Sequence, residues 1–270
     1  MESLRAIGWS DEWAALLPAE KDRAGLVLGR VTQEQKIAFM VRTDAGEYLM
    51  SLAGSVRHGA KSRDEFPAVG DWVLTRRGTP SAEGISGQIV QILPRQTVLA
   101  RALPTGERQI LASNVQIAFL ITGLNTNFNL RRMERYLSLV EGTGVQPVLL
   151  LSKADLVPDV DAALAEVRAI APHIPIHAIS SHTKFGFEIF EQYFQPGMTA
   201  VVLGSSGVGK STLVNHLVDA DIQDMMEARE FDDKGRHCTT FRHLIPVAAP
   251  LAGAVIDTPG MRALGLGEAE

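Results

Sequence analysis

Between Gly25 and about Leu103 the apolar residues fall in short runs, "GLVLGRV", "IAFMV", "EYLMSL", "DWVLTRR" and "GQIVQIL", separated by Gly, Asp, Ser and Pro. Runs of this length with no helical period predict a small antiparallel barrel of short strands. Within it, "FPAVGDWV" reads as a turn entering a strand, because Pro67 and Gly70 punctuate it before an apolar alternation begins. After Leu103 the rhythm changes. "VQIAFLITG" is a continuous apolar run, as a strand covered on both faces requires. "NLRRMERYLSLVEGTG" then spaces Met133, Tyr136, Leu137 and Val140 at helical intervals and stops at Gly142. "VQPVLLLS" is a second buried strand, and "VPDVDAALAEVRAI" a second helix with Asp159 as its cap. "IPIHAIS", "FGFEIFEQYF", "TAVVLG" and "GAVID" continue as strand, short helix, strand and strand. Strands alternating with helices predict a mainly parallel α/β sheet with helices on both faces. The expected organisation is an N-terminal arm at 1–23, an all-β barrel at 24–106 and an α/β domain at 107–270.

The strand "TAVVLG" feeds Gly204-Ser205-Ser206-Gly207-Val208-Gly209-Lys210-Ser211, followed by Thr212 and an amphipathic helix. This is the G-x-x-x-x-G-K-[ST] phosphate loop in its proper strand–helix setting. The glycines let backbone N–H groups turn inward around a phosphate at the positive end of a helix. Lys210 adds a point charge for the β- and γ-phosphates, and the Ser211 hydroxyl is a Mg²⁺ ligand. "VIDTPG" supplies the other half of such machinery, with Asp257 placed to hold Mg²⁺ and the Gly260 N–H to meet the γ-phosphate. "DDKGRHCTTF" lies between the two, where a switch threonine ligates Mg²⁺. Thr239 and Thr240 are both candidates, and Thr240 is taken as the metal-binding and catalytic one.

"SKAD" follows a buried strand. The Asp155 carboxylate can accept from the N1–H and N2 amino groups of guanine, a donor pair that adenine lacks. The Lys153 stem can lie over the base. Ser152 stands where the usual motif carries Asn, so one hydrogen bond worth ~1 kcal/mol is lost. "AISSHT", one strand later, offers Ser180 and Ser181 as backbone contacts to the guanine O6. Base reader, O6 contact, phosphate loop, switch and Mg²⁺ aspartate therefore all occur, with the base reader ahead of the phosphate loop. Joining old termini and opening a surface connection leaves sheet and loops in place. The pattern is one circularly permuted GTPase site for GTP/GDP and Mg²⁺.

Composition narrows the setting. Of 270 residues, 46% are hydrophobic and 21% charged, which suits a packed soluble protein. No apolar run reaches the ~18 residues of a membrane span, and the N-terminus has no signal-peptide pattern. The single Cys238 rules out an intramolecular disulfide and suits a cytoplasmic location. A net charge of −5 argues against non-specific coating of nucleic acid.

The chain resembles the ribosome small subunit-dependent GTPase A (RsgA/YjeQ) family of circularly permuted GTPases. The resemblance rests on "FPAVGDWV", "GQIVQILPRQTVLAR", "ILASNVQIAFLITGLNTNFNLRRMERYL", "SKAD", "SSHT", "GSSGVGKST", "GRHCTT" and "DTPGMR". It implies that the barrel is an OB-fold and that GTP hydrolysis is stimulated by the small ribosomal subunit during its late maturation. It also implies an rRNA-binding barrel, for which Arg57, His58, Lys61, Arg63, Arg76 and Arg77 are the basic residues available. No DNA or membrane partner and a monomer are expected. Family members continue into a helical zinc domain. This chain ends about ten residues after Gly260, and no zinc site is expected from it. Met261 stands where Ras-like enzymes orient water with Gln, and in this family a switch histidine is the suspected substitute, which puts His237 among the catalytic candidates with Lys210 and Thr240. The alternatives are a P-loop ATPase, or an RNA-binding protein that uses nucleotide only as a switch.

Overall fold

A computed structural model describes residues 2–35, 37–103, 105–220 and 242–258. The chain opens with two short helices, α1 (Glu2–Arg5) and α2 (Asp11–Ala14). Five strands follow: β1 (Val27–Glu34), β2 (Phe39–Thr43), β3 (Gly46–Leu52), β4 (Trp72–Arg77) and β5 (Gly87–Ile92), with helix α3 (Gly54–Gly59) after β3. These are the five apolar runs of the sequence. They pair in the order β1-β2-β3-β5-β4, and β4 returns to β1, closing a barrel. β3 and β5 run parallel and the other barrel pairs antiparallel. That closure, with the helix between β3 and β4, is the OB-fold. Val31, Phe39, Val41, Met50, Val73 and Ile89 fill its interior.

A hairpin that the apolar pattern did not single out comes next. β6 (Val98–Ala102) and β7 (Arg108–Ser113) form a separate antiparallel sheet. The boundary expected at 106/107 falls in the turn of this hairpin.

The remaining elements are β8 (Ile117–Gly123), α4 (Leu130–Val140), β9 (Gln146–Ser152), α5 (Val160–Ile170), β10 (Ile176–Ala178), α6 (Phe190–Tyr193), β11 (Thr199–Gly204), α7 (Lys210–Val218), β12 (His243–Pro246) and β13 (Ala254–Asp257). Among the described residues the strands order as β10-β9-β8-β11-β13-β12, parallel except for β12. Period-two alternation divides their side chains between two cores. Ala118 and Leu120 of β8, Leu149 and Leu151 of β9, and Val201 and Leu203 of β11 face Met133, Tyr136 and Val140 of α4 and Val167 of α5. Ile117, Phe119, Val148, Leu150, Ala200 and Val202 face Phe190 and Tyr193 of α6 and Leu213, Val214 and Leu217 of α7. α4 and α5 start at capping side chains, Asn129 accepting from the Arg132 N–H and Asp159 from the Ala162 N–H, both at 2.9 Å.

The two domains share one sheet. β12 also meets β1 in an antiparallel rung at Gln33 and His243, and Arg242 lies 3.8 Å from Glu34. Behind this seam the arm is buried: Leu4, Ile7, Trp9 and Trp13 join Trp72 of the barrel and Val201 of the phosphate-loop strand in one core. Trp9 meets Trp72 edge-on with ring centroids 4.8 Å apart.

At its centre lies Arg30 of β1, 1% exposed. Its guanidinium donates to the carbonyls of Gly70 (3.0 Å), Asn114 (2.9 Å) and Ile7, and to Thr199 Oγ1 at 2.8 Å. It also lies 4.8 Å from the Trp72 ring centre. Burial pushes Arg30 down to about 9, opposed by the Asp71 carboxylate, so it is charged at neutral pH. Arm, barrel, interdomain segment and phosphate-loop strand are thus tied by one side chain. Arg30→Ala strands buried acceptors in all four and is expected to cost about 3–5 kcal/mol. Urea unfolding followed by tryptophan fluorescence reads this directly, since all three Trp residues are in that core; an unchanged midpoint would refute it.

Candidate functional site

Every motif expected to touch nucleotide, among the described residues, follows a parallel strand at its carboxyl end. β11 and β13 are adjacent, as are β11 and β8, β8 and β9, and β9 and β10. The loops after β9, β10, β11 and β13 therefore share one edge of the sheet, where α/β folds bind ligands.

The phosphate loop leaves fully buried β11 at Gly204, where a Cβ would lie 2.6 Å from the Ile121 carbonyl oxygen. Only glycine lets the chain pass there. Gly209, at φ +97°, then caps α7 in the left-handed region, so the loop can turn directly into the helix. Lys210 is 7% exposed, and its Nζ donates to the Ser205 carbonyl at 2.8 Å. Burial pushes the ammonium down, and Asp257 opposes the shift. Asp257 ends β13 and is itself 1% exposed, so a buried cation and a buried anion act on each other through the field at this end of the sheet. Thr258 fixes the end of β13 by donating to the Val202 carbonyl of β11 at 2.6 Å. Ser206, Ser211 and Thr212 are exposed along the loop and the first turn of α7.

The side expected to read the base begins at Ser152, the last residue of β9 and 4% exposed. Its Oγ lies 2.6 Å from the Val208 carbonyl and 3.1 Å from that of Thr122. Lys153 sits at φ +62°, which turns the chain sharply out of the strand, and its Nζ donates to the Gly207 carbonyl at 2.8 Å. Asp155 accepts from the buried Ser180 hydroxyl. That hydrogen bond, helped by the nearby charges of His182 and Lys153, holds its carboxyl below the usual range. Ser180 donates its own N–H to the Phe185 carbonyl at 3.0 Å. Its hydroxyl thus orients Asp155 while its backbone N–H is engaged within its own loop. The Ser181 carbonyl lies 3.0 Å from Nε2 of His216 on α7.

Two carbonyls of the phosphate loop are thus held by two consecutive residues of "SKAD", over fifty positions earlier in the chain. "SKAD" and the phosphate loop are therefore packed together at one edge of the sheet. The matching family model, RsgA GTPase, spans residues 92–267. The chain belongs to this family.

RsgA proteins of known sequence agree over most of the chain. "Small ribosomal subunit biogenesis GTPase RsgA 2" of Lactiplantibacillus plantarum is 42% identical, the match covering 89% of this chain and 67% of that protein. The RsgA of Opitutus terrae is 39% identical over 98% of this chain and 73% of its own length. Among solved structures, YjeQ from Thermotoga maritima superposes with a TM-score of 0.59 at 26% identity, covering 87% of this chain and 75% of that one. YloQ, described as a circularly permuted GTPase, shares the fold with a TM-score of 0.58 at 22% identity, covering 90% and 75%. The RsgA family is one of GTP hydrolases, and the strand order found here is its permuted GTPase fold.

Of the residues singled out from sequence, the structure brings together Ser152, Lys153, Asp155, Ser180, Ser181, the loop from Gly204 to Thr212, and Asp257. His237, Thr239, Thr240, Gly260 and Met261 lie outside the described residues. Sequence reasoning placed α4 but missed its contact with the phosphate loop. Arg132 Nη1 donates to the Ser205 Oγ at 3.2 Å, and the Tyr136 hydroxyl also hydrogen-bonds Ser205. The signal was available in part, since positions 132 and 136 share one helix face, but nothing local says that this face meets the phosphate loop. Arg132→Ala is expected to weaken GDP binding about fivefold through a looser loop, one charge-assisted hydrogen bond being lost, with Arg132→Lys intermediate. Titration with fluorescent GDP checks this, and equal affinities would rule out a role for α4.

Proposed function

We propose that this site binds GTP with Mg²⁺ and hydrolyses it to GDP and phosphate, with turnover stimulated by the small ribosomal subunit during its maturation. The juxtaposition of "SKAD" with the phosphate loop carries the first part. Asp155, its orientation fixed by Ser180, presents acceptors to the guanine N1–H and N2 amino groups. The Lys153 stem lies over the base, and Ser181 approaches O6. Backbone N–H groups from Ser205 to Lys210 hold the phosphates. Lys210 exchanges its bond to the Ser205 carbonyl for the phosphate oxygens.

Mg²⁺ fits the donors present. The Ser211 hydroxyl and the Asp257 carboxylate are hard oxygen ligands, and few protein ligands are needed where phosphates and water complete the shell. The ion would neutralise charge at the β- and γ-phosphates. The buried Asp257 carboxylate, whose charge acts on Lys210, keeps this end of the site charge-balanced. We propose Thr240 as a further metal ligand, and Thr240 and His237 as the residues that complete the reacting end.

The ribosomal part rests on the names of the relatives together with the barrel. A groove of about 470 Å³ between the barrel and the β6–β7 hairpin is lined by Arg57 and Arg63, with Glu34, beside Phe39, Phe66 and Ile110. Arg77 stacks at 3.9 Å on Tyr48. Cations interleaved with aromatic faces suit single-stranded or distorted RNA, and such contacts weaken with added salt.

Purified small subunits are expected to raise GTP turnover, and Lys210→Ala to abolish both GDP binding and the stimulated rate. GDP should bind about a hundredfold more tightly than ADP, on the order expected when two hydrogen bonds to a carboxylate are lost, and Asp155→Asn should shift preference toward xanthine nucleotides, whose C2 carbonyl accepts from the new amide. Equal GDP and ADP affinities would favour an ATPase. Binding without stimulated turnover would favour a nucleotide-switched RNA-binding protein.

A further inference from the structure

The groove between the barrel and the β6–β7 hairpin gathers more positive charge than its own carboxylates balance. Arg57 and Arg63 line it, and Glu34 is the one carboxylate among its described lining residues. Two further guanidiniums stand behind that lining. Arg101 of β6 donates from Nε and Nη2 to Oε1 of the lining residue Gln109, at 2.8 and 2.6 Å. Arg242, which leads into β12, reaches Glu34 with Nη1 3.8 Å from Oε2. The nearby acids are turned elsewhere, Asp64 to the Ser62 hydroxyl and Glu65 to the Lys61 N–H.

Arg242 is the decisive member. Its side chain is 11% exposed, and its Nε is buried with no hydrogen-bond partner among the described residues. Burial pushes the guanidinium down, Glu34 opposes that shift, and the charges of Arg101 and Arg63 add to it. A contact of 3.8 Å is too long for a hydrogen bond, so the carboxylate offsets charge without satisfying the donor. A buried donor in this state is costly, and crowded cations repel. An anion with several acceptor oxygens relieves both costs. A phosphodiester has the charge and the oxygens, and the forked guanidinium matches it. Phe66, partly exposed in the same lining, offers a face for an adjoining base, which an acidic peptide would not bring.

We infer that this groove is a phosphodiester-binding site for single-stranded RNA in which Glu34 holds the place of one backbone phosphate, so that RNA must displace Glu34 from Arg242. The inference rests on the RNA reading of the barrel proposed above and gives that surface an internal competitor. Arg63 comes from the barrel, Arg101 from the hairpin and Arg242 from the GTPase domain. The site is therefore complete only while all three are held together.

The test is binding of a fluorescent single-stranded RNA of about ten nucleotides, followed by anisotropy over a range of salt concentrations. The proteins compared are the wild-type chain, Glu34→Gln, Arg63→Ala, Arg242→Gln and the double variant at 34 and 242. Glu34→Gln is expected to bind about fivefold more tightly, as one released ion pair gives. Its log–log salt slope should steepen by about 0.7, the mark of one added phosphate contact on a single strand. Arg63→Ala is expected to do the reverse. In the Arg242→Gln background, Glu34→Gln should change affinity by less than about twofold, because the two residues act as a unit. If Arg63→Ala weakens binding while Glu34→Gln binds as the wild type does, the inference falls and the RNA reading stands. Equal tightening with and without Arg242 would reduce Glu34 to a general repulsive charge and overturn the inference as well. No RNA binding, or Arg63→Ala without effect, would remove the RNA reading of the groove and the inference with it. Polyglutamate competing as well as unlabelled RNA would overturn RNA as the occupant. The Glu34 side chain is 39% exposed, so its variant is expected to fold; should Arg242→Gln not fold, the salt slope of Glu34→Gln decides alone.

Discussion

A fully buried guanidinium organises this molecule. Removing a cation from water is costly, and Arg30 is tolerable only because the three backbone carbonyls, the Thr199 hydroxyl and the Trp72 face around it are all in place at once. Those partners belong to the arm, the barrel, the segment before β8 and the first residue of β11. None of these pieces can move away without exposing a charge to an apolar cavity. The interaction therefore does more than add stability. It specifies one arrangement of barrel and GTPase domain, and it fixes the root of the strand that presents the phosphate loop.

The permuted order of the chain follows from what the site requires. A nucleotide senses only the loops at the carboxyl edge, and those loops are positioned by neighbouring strands, whatever the order in which the chain visits them. β8, β9 and β10 build one flank before β11 exists in the sequence, and β12 and β13 build the other afterwards. Ser152 and Lys153 on one side and Thr258 on the other then clamp the loop region through carbonyls of Val208, Gly207 and Val202. Polar contacts across the edge supply the geometric precision that chain connectivity does not.

Much of this was legible beforehand. All five barrel strands, the α/β alternation and the phosphate loop are encoded locally, by period-two runs, helical spacing and glycines at obligatory turns. Asp159 was readable as a cap because capping depends on its immediate neighbours alone. The hairpin β6–β7 was not legible, since "TVLAR" and "RQILAS" mix polar and apolar residues without a clean alternation and pack on only part of their surface. The burial of the arm was hidden for a related reason: Leu4, Ile7, Trp9 and Trp13 belong to four-residue helices or turns too short for any periodic signal. Nothing in its immediate sequence distinguishes Arg30 from an ordinary charge on a barrel strand. Its role, like those of Arg132 and Ser180, depends on groups that only tertiary structure delivers.

The rung between Gln33 of β1 and His243 of β12 makes the barrel the lateral continuation of the nucleotide-bearing sheet. Two modules on a flexible leash would search for their targets separately, each forfeiting its own freedom of orientation on capture. Here the aromatic–cationic surface and the phosphate loop point along vectors fixed by shared hydrogen bonds. On the function proposed above, a large partner would accept both in a single encounter, and the orientational entropy would be surrendered once.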